Sequence, residues 1–364
     1  MSRKLASVVR IATCDPIPDT DKLSVATMEG KGWKVVTGRD EYKAGDLAVY
    51  FEIDSYLPVD DDRYAFLKER CLRKFMSKSG TLLKQGLKIK TIKLRGVVSQ
   101  GLLIPMSAYP ELSGKFNVGD DLTEVLNVEH YDEVKDALAP QTGVSIPFDS
   151  YGQFPSEFIP KTDEERIQNL GDYFTKMKGR TFEITAKFDG SSCTMIYAPK
   201  TFPDRPFRVC SRNQDLKPNG CPMWSISEKQ MVKEALLSMY EDTGHEFALQ
   251  GELVGPGVNS NRDMYTEHDW YVFRIWDITD HKFVEPDERR SMCHDYGIKH
   301  VQVIGTHVDV FDKFLTEEDL LKFAEGKTER GHEREGLVFK ADDGKEPFVS
   351  FKAVSNRYLL KLCD

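Results

Sequence analysis

The sequence predicts a two-domain α+β protein: a small N-terminal β-barrel, then a mixed domain built on largely antiparallel sheets. Three observations predict it. Over residues 1–125, short apolar strands alternate with turn signals around a single candidate helix. Over residues 126–160, prolines, glycines and mixed charge replace any periodicity, which reads as a linker. Over residues 161–364, seven apolar runs of strand length are spaced by helical patterns.

Leu23 to Met28, Trp33 to Val36 and Leu47 to Ile53 are the first strands, the last of them after the turn at Gly45-Asp46. A helix is expected from Arg63, because Tyr64, Leu67, Cys71, Leu72 and Phe75 share one helical face while Lys68, Arg70 and Lys74 point elsewhere. Strands resume at Lys88 to Leu94 and Gly101 to Ile104. Several short strands with one helix suit a closed barrel such as an OB-fold. Tyr64, Phe66 and Phe75 are candidate base-stacking platforms, although an aromatic in so small a barrel is more often core.

Past the linker, Thr162 and Glu165 have the spacing of a capping box, and Ile167, Leu170, Phe174 and Met177 supply the stripe of the helix it would start. Ser227 and Gln230 repeat the device, with Ile226 and Met231 placed as a hydrophobic staple. The strands of this domain are expected at 181–186, 193–197, 207–211, 247–253, 271–276, 337–340 and 348–352.

Bulk properties narrow the class. A chain of 364 residues with 40% hydrophobic content can bury two ordinary cores. Nothing at the N-terminus resembles a signal peptide, and no apolar run approaches the roughly 20 residues needed to cross a bilayer. The seven cysteines are irregularly spaced and form no C-x-x-C pair, which argues against a disulfide framework or a structural zinc site. An intracellular protein, cytoplasmic or nuclear, is expected. The net charge of −9 speaks against a polyanionic partner, but its distribution reverses that. From Arg63 to Arg95 eleven basic residues face one acid, a local +10 that leaves −19 for the remainder. Lys84, Lys88, Lys90, Lys93 and Arg95 are the candidate phosphate contacts, against the plainer reading of a solvated charged face.

Lys187-Phe188-Asp189-Gly190 is the stretch richest in chemistry. It ends the apolar run Thr181 to Ala186, and Ser191-Ser192 and the Cys193 to Tyr197 run follow. A lysine beside an Asp-Gly turn can be made into a phosphoramidate-forming nucleophile. A plain hairpin with Gly190 at its positive-φ position explains the same four residues. Company downstream favours chemistry: Ser211-Arg212-Asn213, Leu249-Gln250-Gly251-Glu252-Leu253, Glu335-Gly336-Leu337-Val338-Phe339-Lys340 and Ser350-Phe351-Lys352.

These five motifs, in this order, resemble the covalent nucleotidyltransferase superfamily, which holds ATP-dependent DNA and RNA ligases and GTP-dependent capping enzymes. The likeness spans roughly residues 160 to 355. Within that superfamily the chain most resembles the RNA ligases of the Deinococcus and Naegleria type, which place an OB-like domain before the nucleotidyltransferase domain. The segment Phe154 to Arg166 also resembles the lead-in to their lysine motif. The resemblance implies an OB-like RNA-binding domain over 1–125, a linker over 126–160 and a ligase-type nucleotidyltransferase domain over 161–364. Only twelve residues follow Lys352, too few for the C-terminal OB domain of DNA ligases and capping enzymes, so RNA ligase is favoured over both. A non-catalytic RNA- or tRNA-binding protein on a degenerate scaffold is the rival from another class.

The resemblance also assigns roles. Lys187 takes AMP from ATP, AMP passes to an RNA 5′-phosphate, and a 3′-hydroxyl displaces it. Asp189, Glu252 and Glu335 would hold Mg²⁺ or Mn²⁺. Asp189, Gly190, Arg212, Glu252, Phe273, Lys340 and Lys352 would contact the nucleotide, with Phe273 stacked on the purine, Trp276 as its rival, and Lys340 and Lys352 bracketing the α-phosphate. A free lysine has a pKa near ~10.4, so burial and the cations Arg212, Lys340 and Lys352 are expected to depress that of Lys187. One departure stands out: relatives carry two lysines in the last motif, and Ser350 occupies the first place, with Lys345 or Lys361 as candidate substitutes. A monomer is expected.

Overall fold

A computed structural model of the protein describes residues 4–142, 149–218 and 220–361. The chain divides into two compact units. One comprises Met1–Pro147, Gln168–Gly171 and Leu359–Asp364; the other comprises Phe148–Ile167 and Asp172–Tyr358.

In the first unit, alternating apolar residues build a five-stranded antiparallel sheet in the order Leu102–Pro105, Leu47–Phe51, Ala6–Pro16, Leu23–Met28, Lys31–Gly38. The register slips between Ile11 and Thr13 of the long strand, a bulge that adds twist and curls the sheet into a half-barrel. Trp33 is fully buried, and its indole Nε1 donates to Asn169 Oδ1 at 2.7 Å, which satisfies the one polar atom of that ring. Asn169 in turn donates to Glu52 Oε1 at 2.8 Å.

A second sheet, ordered Glu129–His130, Ser55–Leu57, Leu82–Lys88, Leu72–Met76, carries much of the basic run. Here the structure corrects the expected helix from Arg63. Asp62–Leu67 is a 3₁₀ turn, Lys68–Cys71 a single helical turn, and Leu72–Met76 a strand paired antiparallel with Leu82–Lys88. Phe75 points to the Tyr56 and Tyr131 rings, and that cluster favours the strand over a helical stripe. The expected linker contains a helix, Tyr131–Thr142, and a strand, Ser150–Gln153.

The second unit is built on a seven-stranded and a five-stranded sheet. The first is ordered Ser150–Gln153, Gln214–Leu216, Phe207–Ser211, Ser191–Tyr197, Phe247–Val254, Asp269–Asp277, Lys282–Phe283. The second is ordered Glu165–Arg166, Ser350–Val354, Gly336–Ala341, Phe182–Lys187, Val303–Val308. All seven predicted strands of this domain are present. Both predicted capping boxes are absent. Glu165–Arg166 is instead a short strand parallel to Phe351–Lys352, and the Glu165 carboxylate accepts from the Arg166 N–H at 2.8 Å. A 3₁₀ turn at Ile167–Asn169 and a short helix at Tyr173–Lys176 replace the continuous helix. Ser227 lies inside the helix Pro222–Lys229, which Pro222 opens, and its hydroxyl donates to Trp224 O at 2.8 Å. Gln230 donates instead to Asp269 Oδ1 at 2.6 Å. The next helix, Val232–Thr243, starts after a left-handed Met231 that is exposed rather than stapled.

Candidate active site

Strand alternation and register assemble the site. Along Phe182–Lys187, Phe182 and Ile184 enter the core, with Phe182 against the rings of Phe311 and Phe351, so Glu183, Thr185 and Lys187 take the opposite face. Across the ladder Lys187 faces Gly336, Thr185 faces Val338 and Glu183 faces Lys340. Val338 then faces Lys352, Lys340 faces Ser350, and Arg166 runs beside Lys352. Lys187, Lys340, Lys352, Ser350 and Arg166 therefore share one face of one sheet, although they come from four strands.

Carboxylates converge on the Lys187 end. Lys187 Nζ lies 2.8 Å from Glu335 Oε1. Asp189 follows in the turn, and Glu252 comes from the other sheet, opposite Ser192. Two glycines permit this close approach. A Cβ on Gly190 would stand 2.3 Å from the Leu253 carbonyl oxygen and 2.7 Å from Glu252 Cγ, and one on Gly336 would stand 2.3 Å from the Ala353 oxygen. Asn259 Nδ2 donates to Asp189 Oδ1 at 3.2 Å and to the Gly190 carbonyl.

These acids reverse the expected sign at the nucleophile. Burial pulls the pKa of Lys187 down, but Glu335, Glu252 and Asp189 together raise it above the ordinary lysine value. Of the three expected cations only Lys352 interacts with it, and the acids outweigh that effect. Arg212 is paired with Asp163 at 2.8 Å, and Lys340 is fully buried, its Nζ 3.4 Å from Thr185 Oγ1, four residues along the strand from Lys187. Lys352 alone of the three feels the charge of Lys187; burial first, then Arg166 and Lys187, lower its own pKa to about 8.

Glu252 is pushed up to about 8, by burial first and then by Glu335 and Asp189, with Lys187 opposing. Asp189 Oδ2 and Glu335 Oε2 are buried without a hydrogen-bond partner. Asp189, Glu252 and Glu335 all act on the Lys187 charge and two of them keep an orphaned oxygen, a donor chemistry suited to a hard divalent cation, although their oxygens do not close into one ligand set as they stand.

The remaining predicted residues are more dispersed. A cavity of about 200 Å³ opens beside Lys187, lined by Phe188, Tyr265, Tyr271, His300 and Gln302 among others. Phe188 meets Tyr271 edge-on at 5.0 Å. Phe273, expected to stack on the purine, is not among the lining residues; it is half-buried in a bulge between Val272 and Arg274. Trp276 donates Nε1 to Phe158 O at 2.9 Å. Lys340, at about 7 through burial and the charges of Arg289 and Arg274, lies with Glu183 and Arg289 at the buried far end of that face, not at the Lys187 end. Lys345 Nζ is engaged by Asp343 at 3.7 Å and by the Gly179 carbonyl at 3.3 Å; Lys361 belongs to the first unit. Sequence reasoning misses Arg166, Asn259 and Glu164. Glu164 lies 3.4 Å from Arg274, and burial opposes but Arg274, Lys340 and Lys352 hold its carboxyl low. The Phe154 to Arg166 lead-in is the available signal for Arg166 and Glu164.

In the basic run, Lys84 pairs with Glu129 at 2.5 Å, and Lys88 lies 3.7 Å from Asp54 and 4.0 Å from the centre of the Tyr131 ring. Lys90, Lys93 and Arg95 have no acidic partner among the described residues. Lys93 and Arg95 are exposed, Arg95 at the left-handed tip of the hairpin between Thr91–Leu94 and Val97–Gln100. Tyr64 is core, Phe75 is packed in its aromatic cluster, and Phe66 is 65% exposed. Among the described residues no helix is long and apolar enough to cross a membrane.

An OB-fold domain model matches residues 5–106, and an RNA ligase model matches residues 180–359. Among solved structures, a lysine-to-methionine variant of the Naegleria gruberi RNA ligase with AMP and Mn superimposes with a TM-score of 0.82 at 33% identity, covering 99% of this chain and 99% of that one. A glutamate-to-alanine variant of that ligase with ATP and Mn reaches 0.84 at 34% identity over 100% of both chains. The same ligase with PPi gives 0.83 at 34% identity over 99% of each chain. No curated protein sequence matches the chain.

Proposed function

The chain belongs to the RNA ligase family, and from that premise we propose that it is an ATP-dependent RNA ligase whose nucleophile is Lys187. One observation carries the reading: Lys187 Nζ, 2.8 Å from Glu335, sits among three carboxylates, two of which keep a buried oxygen without a partner.

The chemistry follows from that geometry. Lys187 rests as an ammonium and must release a proton before it can attack; Glu335 is the acceptor in contact with it. Nζ then bonds to the α-phosphorus of ATP as the bond to the bridging oxygen breaks and pyrophosphate leaves. Mg²⁺ or Mn²⁺ held by Asp189, Glu252 and Glu335 would neutralise phosphate oxygens and weaken the carboxylates' hold on the lysine proton. Lys352, with Arg166 beside it on the neighbouring strand, stabilises the negative charge on the transferred phosphate. The base enters the cavity lined by Phe188 and Tyr271, where Gln302 offers an amide. AMP is passed to a 5′-phosphate of RNA, and a 3′-hydroxyl attacks that phosphorus as AMP leaves. Lys90, Lys93 and Arg95 grip the RNA backbone, and the enzyme acts as a monomer.

Radiolabel from α-labelled ATP must stay on the denatured protein and must then be discharged onto RNA bearing a 5′-phosphate. A protein that takes no label, or takes it equally well from GTP, is not this enzyme.

A further inference from the structure

The cavity beside Lys187 is walled by two loops, residues 255–268 and 325–335, and Arg330 joins them. Its Nε donates to the Asp263 carbonyl at 2.8 Å and its Nη2 to the Met264 carbonyl at 3.1 Å, while the guanidinium lies 4.6 Å from the centre of the Tyr265 ring. Thr328 adds a side-chain contact, Oγ1 to Asp263 Oδ1 at 2.8 Å. The same 255–268 loop reaches the acidic centre. Its Asn259 donates to Asp189 and to the Gly190 carbonyl, and its Arg262 donates to the Tyr358 carbonyl at 3.3 Å.

The loop's path is not one that the chain adopts unaided. Asn259, Asn261 and Met264 sit in the left-handed region at φ 45°, 42° and 52°. Inside the loop, Asn261 exchanges two hydrogen bonds with the Tyr265 backbone, at 2.9 and 3.0 Å. Asparagine tolerates that region, but Met264 does not and persists there only while surrounding contacts over-determine it. On the cavity side those contacts include the Arg330 fork, which takes the Met264 carbonyl directly, the Thr328 hydroxyl and the side-chain hydrogen bond between Tyr265 and Tyr271.

We propose that Arg330 is a positioning residue for the nucleotide: it latches the 255–268 loop as one wall of the cavity, and the latch sets how tightly ATP is held. The inference rests on the reading of this cavity as the base site. A guanidinium suits the task because it can serve two carbonyls at once and stack on a ring, whereas an ammonium is a single point charge. Arg330 is itself exposed, so its removal leaves no buried hole.

Two measurements on the whole 364-residue chain test this. The first uses no nucleotide. Hydrogen exchange of the amides of residues 255–268 is compared in wild type, Arg330→Ala, Arg330→Lys and Thr328→Val. Both Arg330 variants should exchange these amides roughly tenfold faster, with the amides of the Phe182–Lys187 strand unchanged. Unchanged loop exchange in Arg330→Ala overturns the latch, whatever the activity. The second measures AMP labelling against ATP concentration. The KM for ATP should rise about tenfold in Arg330→Ala and nearly as much in Arg330→Lys, with a much smaller change in the rate at saturating ATP. Full rescue by lysine would mean that charge alone suffices and would overturn the proposal, as would an unchanged KM. Failure of wild type to take label from ATP would sink the ligase reading, and the exchange experiment would still decide the latch.

Discussion

Lys187 shows how one residue's chemistry is set by which charges reach it. The sequence offers three lysines or arginines and three carboxylates as neighbours, and the carboxylates win, so the resting side chain is an ammonium held by Glu335. Lys187→Ala is expected to abolish AMP labelling while the fold is kept. Lys187→Arg should fail equally, since a guanidinium stays protonated and cannot attack. Label surviving in either variant would place the nucleophile elsewhere. Glu335→Gln separates proton from metal. Because Glu335 raises the lysine's pKa, its neutralisation must lower it, so in metal-free protein Lys187 should react with an amine-directed acylating reagent at lower pH than in wild type. The same variant should cut AMP transfer from ATP by about two orders of magnitude, because a metal ligand and proton acceptor are gone. A Lys187 reactivity profile that does not move, or moves to higher pH, contradicts the assigned pair.

Elements explain what is and is not legible in the sequence. The strands bearing the motifs can be read because apolar alternation and β-branched residues specify both their existence and their buried face, and register then delivers Lys187, Lys340 and Lys352 to one side. Local signals fail where tertiary pairing outbids them. Thr162 and Glu165 spell a capping box, but parallel pairing of Glu165–Arg166 with Phe351–Lys352 claims that backbone. Arg63 to Phe75 has a helical stripe, but a partner strand claims its second half. Phe273 matches a motif by order, whereas a bulge in its strand decides where the ring lies. Depth along a strand is equally invisible, and it buries Lys340 away from Lys187. The hairpin carrying Lys352 is anchored by Arg180, whose guanidinium meets Asp343 at 2.7 Å and the carbonyls of Pro347 and Lys345 at 2.9 and 2.6 Å. That partnership, opposed by burial, holds the Asp343 carboxyl down at about 2. A depressed carboxyl contributes stability that is complete above its unfolded pKa near ~3.9 and disappears as pH falls toward the folded value; here that is on the order of 2 kcal/mol. Asp343→Asn should therefore lower the urea midpoint at pH 7, and the gap to wild type should close between about pH 4 and pH 2. A gap that is constant with pH would mean that the pair contributes through shape alone.

At the scale of the whole molecule, charge is distributed against its average. A net −9 conceals the +10 between Arg63 and Arg95, and the structure sorts that run into engaged and available cations. Lys84 and Lys88 already face Glu129 and Asp54, and Arg63 is gripped by Asp61 and Glu111, so binding a polyanion through them must first break an existing pair. Lys90, Lys93 and Arg95 face no such competition among the described residues, and the left-handed turn holds Arg95 out at a hairpin tip. A cation that neutralises a phosphate releases counterions, so removing one such side chain should reduce the slope of log affinity against log salt by roughly 0.7 for single-stranded RNA. Replacing Lys90 and Lys93 by Gln and Arg95 by Asn, which tolerates the same left-handed turn, should therefore weaken RNA binding and flatten its slope by about 2. Replacing Lys84 and Lys88 should flatten it less, since their charges are already compensated. Neither set should alter AMP labelling of Lys187 from ATP in the absence of RNA, because the residues proposed to handle ATP and metal all belong to the second unit. Equal salt slopes in wild type and the triple variant would reduce the basic run to a solvated surface. Impaired labelling would instead give the first unit a part in building the ATP site.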